Sequence, residues 1–575
     1  MKRSDHTRIG LRQGKDDIME NRILGAAIGT CVHVAGLHHF LKLAEAEGFE
    51  TISLGPAVSV ERLVQAILRE HPTITAVSYR LTPQVAATLF ESLRAELSAH
   101  GLHDIRLVFG GTSPVCEVAK ASGLFESIFS GQESVELVQA YLRGGPGHAI
   151  EENVAHDLLS RIHQKYPYPI LRHHFGLPSL EETILGAKLI AEAGVLDVIS
   201  LGPDQNAQEH FFHPDEMDHS QDGAGGVPVR TVADLRAIYQ SSRCGNYPLM
   251  RCYSGTRDLI RWAEMSVDAI HNAWAAIPLC WYSVMDGRSK LPLFEAIREK
   301  QQAMRWYADR GLPVEVNEAH QWSLRDAHDS LAVAMAFLAA YNAKQAGVKS
   351  YVAQFMFNTP PVTWPTMDIA KMLAKNELIG SLHDESFASW REVRAGIAHF
   401  AADPSTAQGQ LAASAVISLS LRPHILHVVG FSEGHHATTA QELIQSCRIV
   451  HGVLHNCLHG LPDMTGDPKV VDRKDELIRE ARVLLHGLKA YGEAVSDDPL
   501  NDAWVLSHAI QQGLLDTPHF RGNPALCGKI TTRCIDGAWY AVDEDSGESL
   551  TEQERLAKVM SATPALSRPR HEESK

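Results

Sequence analysis

The chain has 575 residues, 45% of them hydrophobic and 21% charged, with a formal net charge of −16. That length exceeds one ordinary domain and predicts two or three, each able to bury a core. The acidic balance repels nucleic acid and anionic membranes, so it argues against general polyanion binding; an anionic substrate must meet a local cluster of arginines.

The N-terminal stretch MKRSDHTRIGLRQGKDD lacks the apolar run of a signal segment, and no segment approaches the roughly 20 apolar residues of a membrane span. The nine cysteines fall at 31, 116, 244, 252, 280, 447, 457, 527 and 534, with no C-x-x-C pair. This odd, scattered set argues against a structural zinc site and a disulfide framework. A cytoplasmic, reduced protein with no membrane or nucleic-acid partner is expected.

From residue 22, short apolar runs alternate with amphipathic stretches. The runs are 22–29, 50–55, 74–80, 106–111 and 125–131; the clearest helical patterns are 60–71 and 83–97. Five strands alternating with helices predict a parallel, doubly wound flavodoxin-like (Rossmann-type) sheet over 20–145. Ligands of such sheets sit outside the carboxyl ends of the strands. At those ends lie Cys31, His33 and Gly36 after the first run, Ser78 and Leu81 after the third, and Gly110-Gly111 after the fourth. The glycines let a bulky ligand approach the backbone.

This arrangement resembles the B12-binding domain shared by cobalamin-dependent mutases and methionine synthase, whose pattern is D-x-H-x-x-G, then S-x-L, then G-G. The resemblance implies a cobalamin cofactor with His33 as lower axial ligand of cobalt, with Ser78, Gly110 and Gly111 along the displaced nucleotide tail, and with Cys31, Gly36 and Leu81 also among the cofactor-binding residues. Two positions depart: Cys31 replaces the aspartate, and the leucine falls at Leu81 rather than at Arg80. A metal-bound histidine usually donates its second N–H to a carboxylate or carbonyl. With a thiol there, either another group supplies that partner or the bond to cobalt is weaker.

A polar, Gly-rich linker is expected over 146–165. Eight further strand candidates follow, at 169–175, 196–202, 248–255, 269–274, 313–318, 350–357, 393–400 and 425–431, most of them separated by helical patterns such as 296–311 and 330–347. They predict a (β/α)8 TIM barrel over 166–492, with its site at the C-terminal strand ends. Polar residues gather at those ends, among them His173, His174, Arg251, Asn272, Asn317, Glu318, His320 and Gln354.

Much of 240–360 is similar to the large subunit of adenosylcobalamin-dependent glutamate mutase (methylaspartate mutase). The stretches PLMRCYSGTRD (248–258) and GLPVEVNEAHQWSL (311–324) carry that similarity. It implies that Arg251 holds a substrate carboxylate and that Glu318 lies in the site. His320 and Asn272 join them as candidates, Glu318 and His320 for the adenosyl ribose or the substrate. The family's amine-binding glutamate falls near Ala273, and its substrate tyrosine near Leu279. The implied substrate is therefore a small carboxylic acid other than glutamate, facing a wall containing Trp274 and Trp281.

Residues 493–575 are expected to form an extension with a hairpin turned at Asp536-Gly537 and a disordered tail. An adenosylcobalamin-dependent mutase working by radical hydrogen abstraction is the leading expectation. A corrinoid methyltransferase using methylcobalamin and a non-catalytic cobalamin-binding protein stand as alternatives. The sequence leaves open whether one chain acts alone or as a homodimer.

Overall fold

The alternating runs fold as their periodicities require. In the computed structural model, which describes residues 22–131, 133, 135–142, 154–457 and 460–568, the chain divides into two compact units at 148/149. The N-terminal stretch through residue 21, the linker residues 143–153 and the last seven residues lie outside the described residues.

The first unit is a parallel sheet of β1 (Arg22–Ala27), β2 (Glu50–Ser53), β3 (Ile74–Tyr79), β4 (Arg106–Gly111) and β5 (Ser127–Phe129) in the order β2-β1-β3-β4-β5. Strand β3 is buried along its whole length, as a sheet covered by helices on both faces demands. Helix Val60–Glu70 illustrates the local logic. Ser59 Oγ accepts from the Arg62 N–H at 3.2 Å, and His71 ends the helix in a left-handed conformation with φ 47°. Leu63, Val64 and Ile67 bury the apolar stripe between.

The second unit is a (β/α)8 barrel. Its strands are β6 (Ile170–Phe175), β7 (Val198–Leu201), β8 (Leu249–Cys252), β9 (Ala275–Ile277), β10 (Val314–Val316), β11 (Ser350–Phe357), β12 (Ala388–Ala395) and β13 (Ile425–His427). They pair in parallel in the order β8-β7-β6-β13-β12-β11-β10-β9. Backbone hydrogen bonds Ala273 N to Met250 O (2.9 Å) and Ser254 N to Ala276 O (3.1 Å) tie the two end strands together.

Two strand expectations shift. The segment 269–274 is not a strand: helix Leu259–Ile270 runs through its first two residues, His271 turns at φ 49°, and the strand is the short Ala275–Ile277. The strand expected at 393–400 begins earlier, at Ala388. Charged Arg391 and Glu392 interrupt the apolar pattern ahead of residue 393.

The barrel interior is layered, and helices Leu180–Ala193, Asp329–Gln345 and Ala440–Cys457 are among those that cover the outside. Ile170, Val198, Leu249, Val352 and Ile425 form an apolar floor, joined by Leu158 and Ile162 of helix Leu158–Lys165. Two residues further along the strands the interior turns polar, because successive inward positions are two apart.

The C-terminal region packs on the barrel. Its hairpin, β14 (Thr531–Ile535) and β15 (Ala538–Val542), turns through Asp536 and Gly537 with φ 49° and 77°, the two-residue geometry that favours Asp-Gly. A Cβ at Gly537 would come within 2.0 Å of the Trp364 ring. The Trp539 N–H donates to Asp329 Oδ2 (3.1 Å), and Asp329 also pairs with Lys371 and Arg473 at 3.1 Å each. Helix Glu552–Ala562 follows, and beyond it Arg568 pairs with Asp502.

Glu552 anchors that last helix through His328 and Arg555. Burial pushes its carboxyl up, but Arg555 and His328 outweigh this and hold it at about 2 against an ordinary 4.5. A depressed carboxyl stabilises the fold above its unfolded pKa, and that contribution fades as pH falls towards the folded value. Urea midpoints of the wild type should therefore fall between pH 5 and 2. Glu552→Gln should remove part of that slope and cost on the order of 3 kcal/mol at pH 7. An unchanged slope would remove Glu552 from the acid sensitivity.

Candidate functional site

The first candidate site lies where the N-terminal sheet reverses its winding, at β1 and β3. Ala27, Ser78, Gly110 and Phe129 occupy one row across β1, β3, β4 and β5. Ser78 is 5% exposed. A Cβ on Gly110 would meet no atom within 4 Å, so the row is open there. Gly111 differs: a Cβ would lie 2.7 Å from the Phe109 ring and from Tyr79 O, so close packing demands glycine. Leu81 is exposed just beyond β3.

The loop after β1 turns at Gly29, with φ 65°, and carries Cys31 buried and His33 exposed. Cys31 Sγ lies 4.0 Å from His33 Nδ1. The thiol thus stands beside one ring nitrogen of the exposed imidazole. Gly36, in the first turn of helix Ala35–Ala46, meets nothing within 4 Å of a Cβ. Helix packing therefore does not require glycine at that position. An exposed imidazole, the open position at Gly110 and a buried serine thus stand at the carboxyl ends of neighbouring strands.

The second candidate site is the barrel lumen. Above the floor, six side chains form a closed ring of hydrogen bonds. Arg172 Nε donates to Glu392 Oε1 (2.9 Å), and Gln354 Nε2 bridges Glu392 Oε1 (2.9 Å) and Glu315 Oε1 (3.2 Å). Arg251 Nη2 donates to Glu315 Oε2 at 2.6 Å, and Ser200 Oγ accepts from both arginines at 3.3 and 3.5 Å. Trp274 Nε1 adds a bond to Glu315 Oε2 at 2.8 Å. Both arginines and both glutamates have no exposed surface, so each charge is matched inside the lumen, as burial requires.

Two residues further along the strands come His174, Gly202, Tyr253, Asn317, Met356 and Arg394. Tyr253 stacks on His174 with ring centroids 4.5 Å apart, and His427 packs edge-on to His174 at 4.6 Å. Burial and the fields of Arg172 and Arg394 hold His174 and His427 well below the usual histidine range, so both are neutral. His320 is likewise buried and depressed, with Arg394 the first charged group acting on it.

The lumen receives the expected residues unequally. Arg251 is in the ring, its guanidinium 5.1 Å from the centroids of both Tyr253 and Trp274. Glu318 uses both oxygens locally: Oε2 accepts from the Leu279 and Cys280 N–H groups at 2.7 and 3.0 Å, and Oε1 from Trp322 Nε1 at 2.8 Å. It pins the segment after β9 to the short helix Ala319–Ser323. Asn272 precedes β9 and accepts from the Cys252 N–H at 2.9 Å, a brace between β8 and β9. Trp281 packs against Trp322 and Phe520, away from the ring. Arg172, Glu315, Glu392 and Arg394 escaped the sequence reading. Their signal is charge recurring with period two on strands that are buried on both faces.

Among the described residues, no group of three or more His, Cys, Asp or Glu side chains is disposed to hold a metal ion, and no helix is long and apolar enough to cross a membrane.

Residues 21–137 match the family model of the B12 binding domain. A solved structure described as a novel cobalamin-binding protein from Desulfitobacterium hafniense DCB-2 is similar at 25% identity, over 22% of this chain and 59% of that one, with a TM-score of 0.20. The match thus spans less than two thirds of that protein. No curated protein matches the chain. The chain thus joins a region that matches the B12 binding domain, residues 21–137, to a (β/α)8 barrel.

Proposed function

We propose that the chain is an adenosylcobalamin-dependent carbon-skeleton mutase acting on a small carboxylic acid other than glutamate. One observation carries the reading: a B12-binding domain is fused to a barrel whose lumen is built from buried arginines and glutamates. A barrel needs no such ring for stability, since well-packed apolar side chains of similar volume do as well or better.

In this reading His33 would hold the cobalt, and Cys31 is a positioning residue beside its imidazole. Ser78, Gly110 and Gly111 would receive the nucleotide tail, with Gly36 and Leu81 also among the cofactor-binding residues. When bound, adenosylcobalamin supplies a carbon radical from its cobalt–carbon bond, chemistry that belongs to the cofactor. The protein's own share is to bind, orient and exclude water. Arg251 and Arg172, paired with Glu315 and Glu392, form a rigid, charge-matched base to the site. Neutral His174 and His320 offer hydrogen bonds without adding charge, and Glu318 and Asn272 hold the walls in place.

The test adds adenosylcobalamin or methylcobalamin to the full chain, each with a panel of small carboxylic acids, under anaerobic conditions. A Co(II) signal that needs both adenosylcobalamin and one of the acids is the expected result. Demethylation of methylcobalamin with no such signal would replace the mutase by a methyltransferase. Failure to bind either cofactor would overturn both.

A further inference from the structure

Arg394 stands out among the buried arginines. It is 7% exposed and lies on β12, two residues beyond Glu392 of the ring, so its side chain belongs to the same inward face. The other buried arginines have acidic partners: Arg161 with Asp197, Arg172 with Glu392, Arg251 with Glu315, Arg473 with Asp329 and Arg555 with Glu552. Among the described residues Arg394 has none within 4.0 Å, and its one hydrogen bond runs from Nε to Ala395 O at 3.1 Å. Glu433, the carboxylate that acts most on it, already accepts from the Gly430 N–H at 2.6 Å and lies 3.5 Å from His173. The lumen therefore holds three guanidiniums against the two carboxylates of Glu315 and Glu392. An unpaired buried charge is costly unless something pairs with it.

Two further features of the same layer point to a ligand. A Cβ at Gly202 would meet no atom within 4 Å, so the position opposite a side chain is empty space. Asn317 is 2% exposed, and its Oδ1 is buried without a donor. A cation without an anion and an acceptor without a donor thus share one layer with a gap.

We propose that Arg394 is the carboxylate anchor of the barrel site and that Asn317 Oδ1 accepts from a donor group on the same ligand. The ligand class is a short monocarboxylic acid carrying a hydroxyl or similar donor near the carboxylate. This deepens the mutase reading, since it rests on the lumen being the substrate site, and it assigns the acid group to Arg394 rather than to Arg251, which Glu315 already neutralises.

The test uses the full chain without cobalamin, so failure here and failure to bind the cofactor are separate results. Thermal shift and calorimetry are run with straight-chain acids from acetate to valerate, their 2-hydroxy counterparts, and lactamide as the uncharged control. A hydroxy acid should raise Tm and bind more tightly than its plain counterpart, and lactamide should do nothing. Arg394→Met should weaken acid binding by at least about tenfold, the scale of a charge-assisted bond. It should also raise Tm without ligand, because an unmatched buried charge is gone. Asn317→Leu should keep binding of the plain acid and lose the gain from the hydroxyl. A lower Tm for ligand-free Arg394→Met would mark the arginine as a structural member and overturn the proposal. So would unchanged acid binding in that variant, or a series in which no acid binds the wild type.

Discussion

Glu392→Gln should destabilise the barrel by about 3–5 kcal/mol, the range for breaking a buried ion pair by removing one partner. Glu392 has no exposed surface and takes hydrogen bonds from Arg172 and Gln354 through Oε1. Burial pushes its carboxyl up, yet Arg172 and Arg251 outweigh this and keep it below its ordinary value, so it is ionised at neutral pH. The amide keeps the volume and removes the charge, leaving Arg172 buried without a matching anion. The sign should reverse in the double variant Arg172→Met/Glu392→Leu. Removing both partners leaves apolar groups of similar volume, and stability should return to within about 1 kcal/mol of the wild type or exceed it. Urea unfolding followed by circular dichroism measures both. If the single variant costs as little as the double one, the ring is not a charge-matched unit.

His33→Ala should weaken cobalamin binding by more than the roughly 10–100-fold that loss of an outer partner costs a metal site. The variant should still fold, because His33 is exposed and supports no packing. Its residual binding should show the spectrum of cofactor ligated by its own base or by water. Cys31→Asp tests the support of the imidazole separately. A carboxylate 4.0 Å or less from Nδ1, where the thiol now sits, makes the ring more basic, so this variant should bind the cofactor more tightly than the wild type. Equilibrium dialysis of the variants measures both shifts.

The architecture was legible where the hydrophobic pattern is regular. All five strands of the first sheet and most barrel strands stand out as apolar runs. Their ends carry His33, in the loop after β1, and Ser78 and Gly110, which β3 and β4 bring into register. Two barrel strands were misplaced for physical reasons. Ala275–Ile277 is only three residues long, and the helix before it ends in Ile270, an apolar residue that mimics a strand start. Strand β12 carries Arg391 and Glu392 ahead of residue 393, charges that interrupt the apolar pattern, and Glu392 meets its partner Arg172 only when the barrel forms.

The same blindness hid the ring. Polar residues after the strands attract attention as loop residues, whereas Arg172, Glu315, Glu392 and Arg394 sit within strands. Pairs such as Arg172 with Glu392 are 220 residues apart in sequence. Only barrel closure brings them together. Glu318 shows the converse: it stands at a strand end, yet its oxygens are taken by neighbouring N–H donors.

The central claim is that this chain binds cobalamin with His33 on cobalt. Electron paramagnetic resonance of the Co(II) cofactor bound to protein labelled with 15N-histidine tests it most directly. The account predicts that the threefold splitting of each cobalt line, from an axial 14N, becomes twofold in the labelled wild type, and that this change is absent in His33→Ala. A threefold pattern unaffected by the label would place the cofactor's own base on cobalt and contradict the claim.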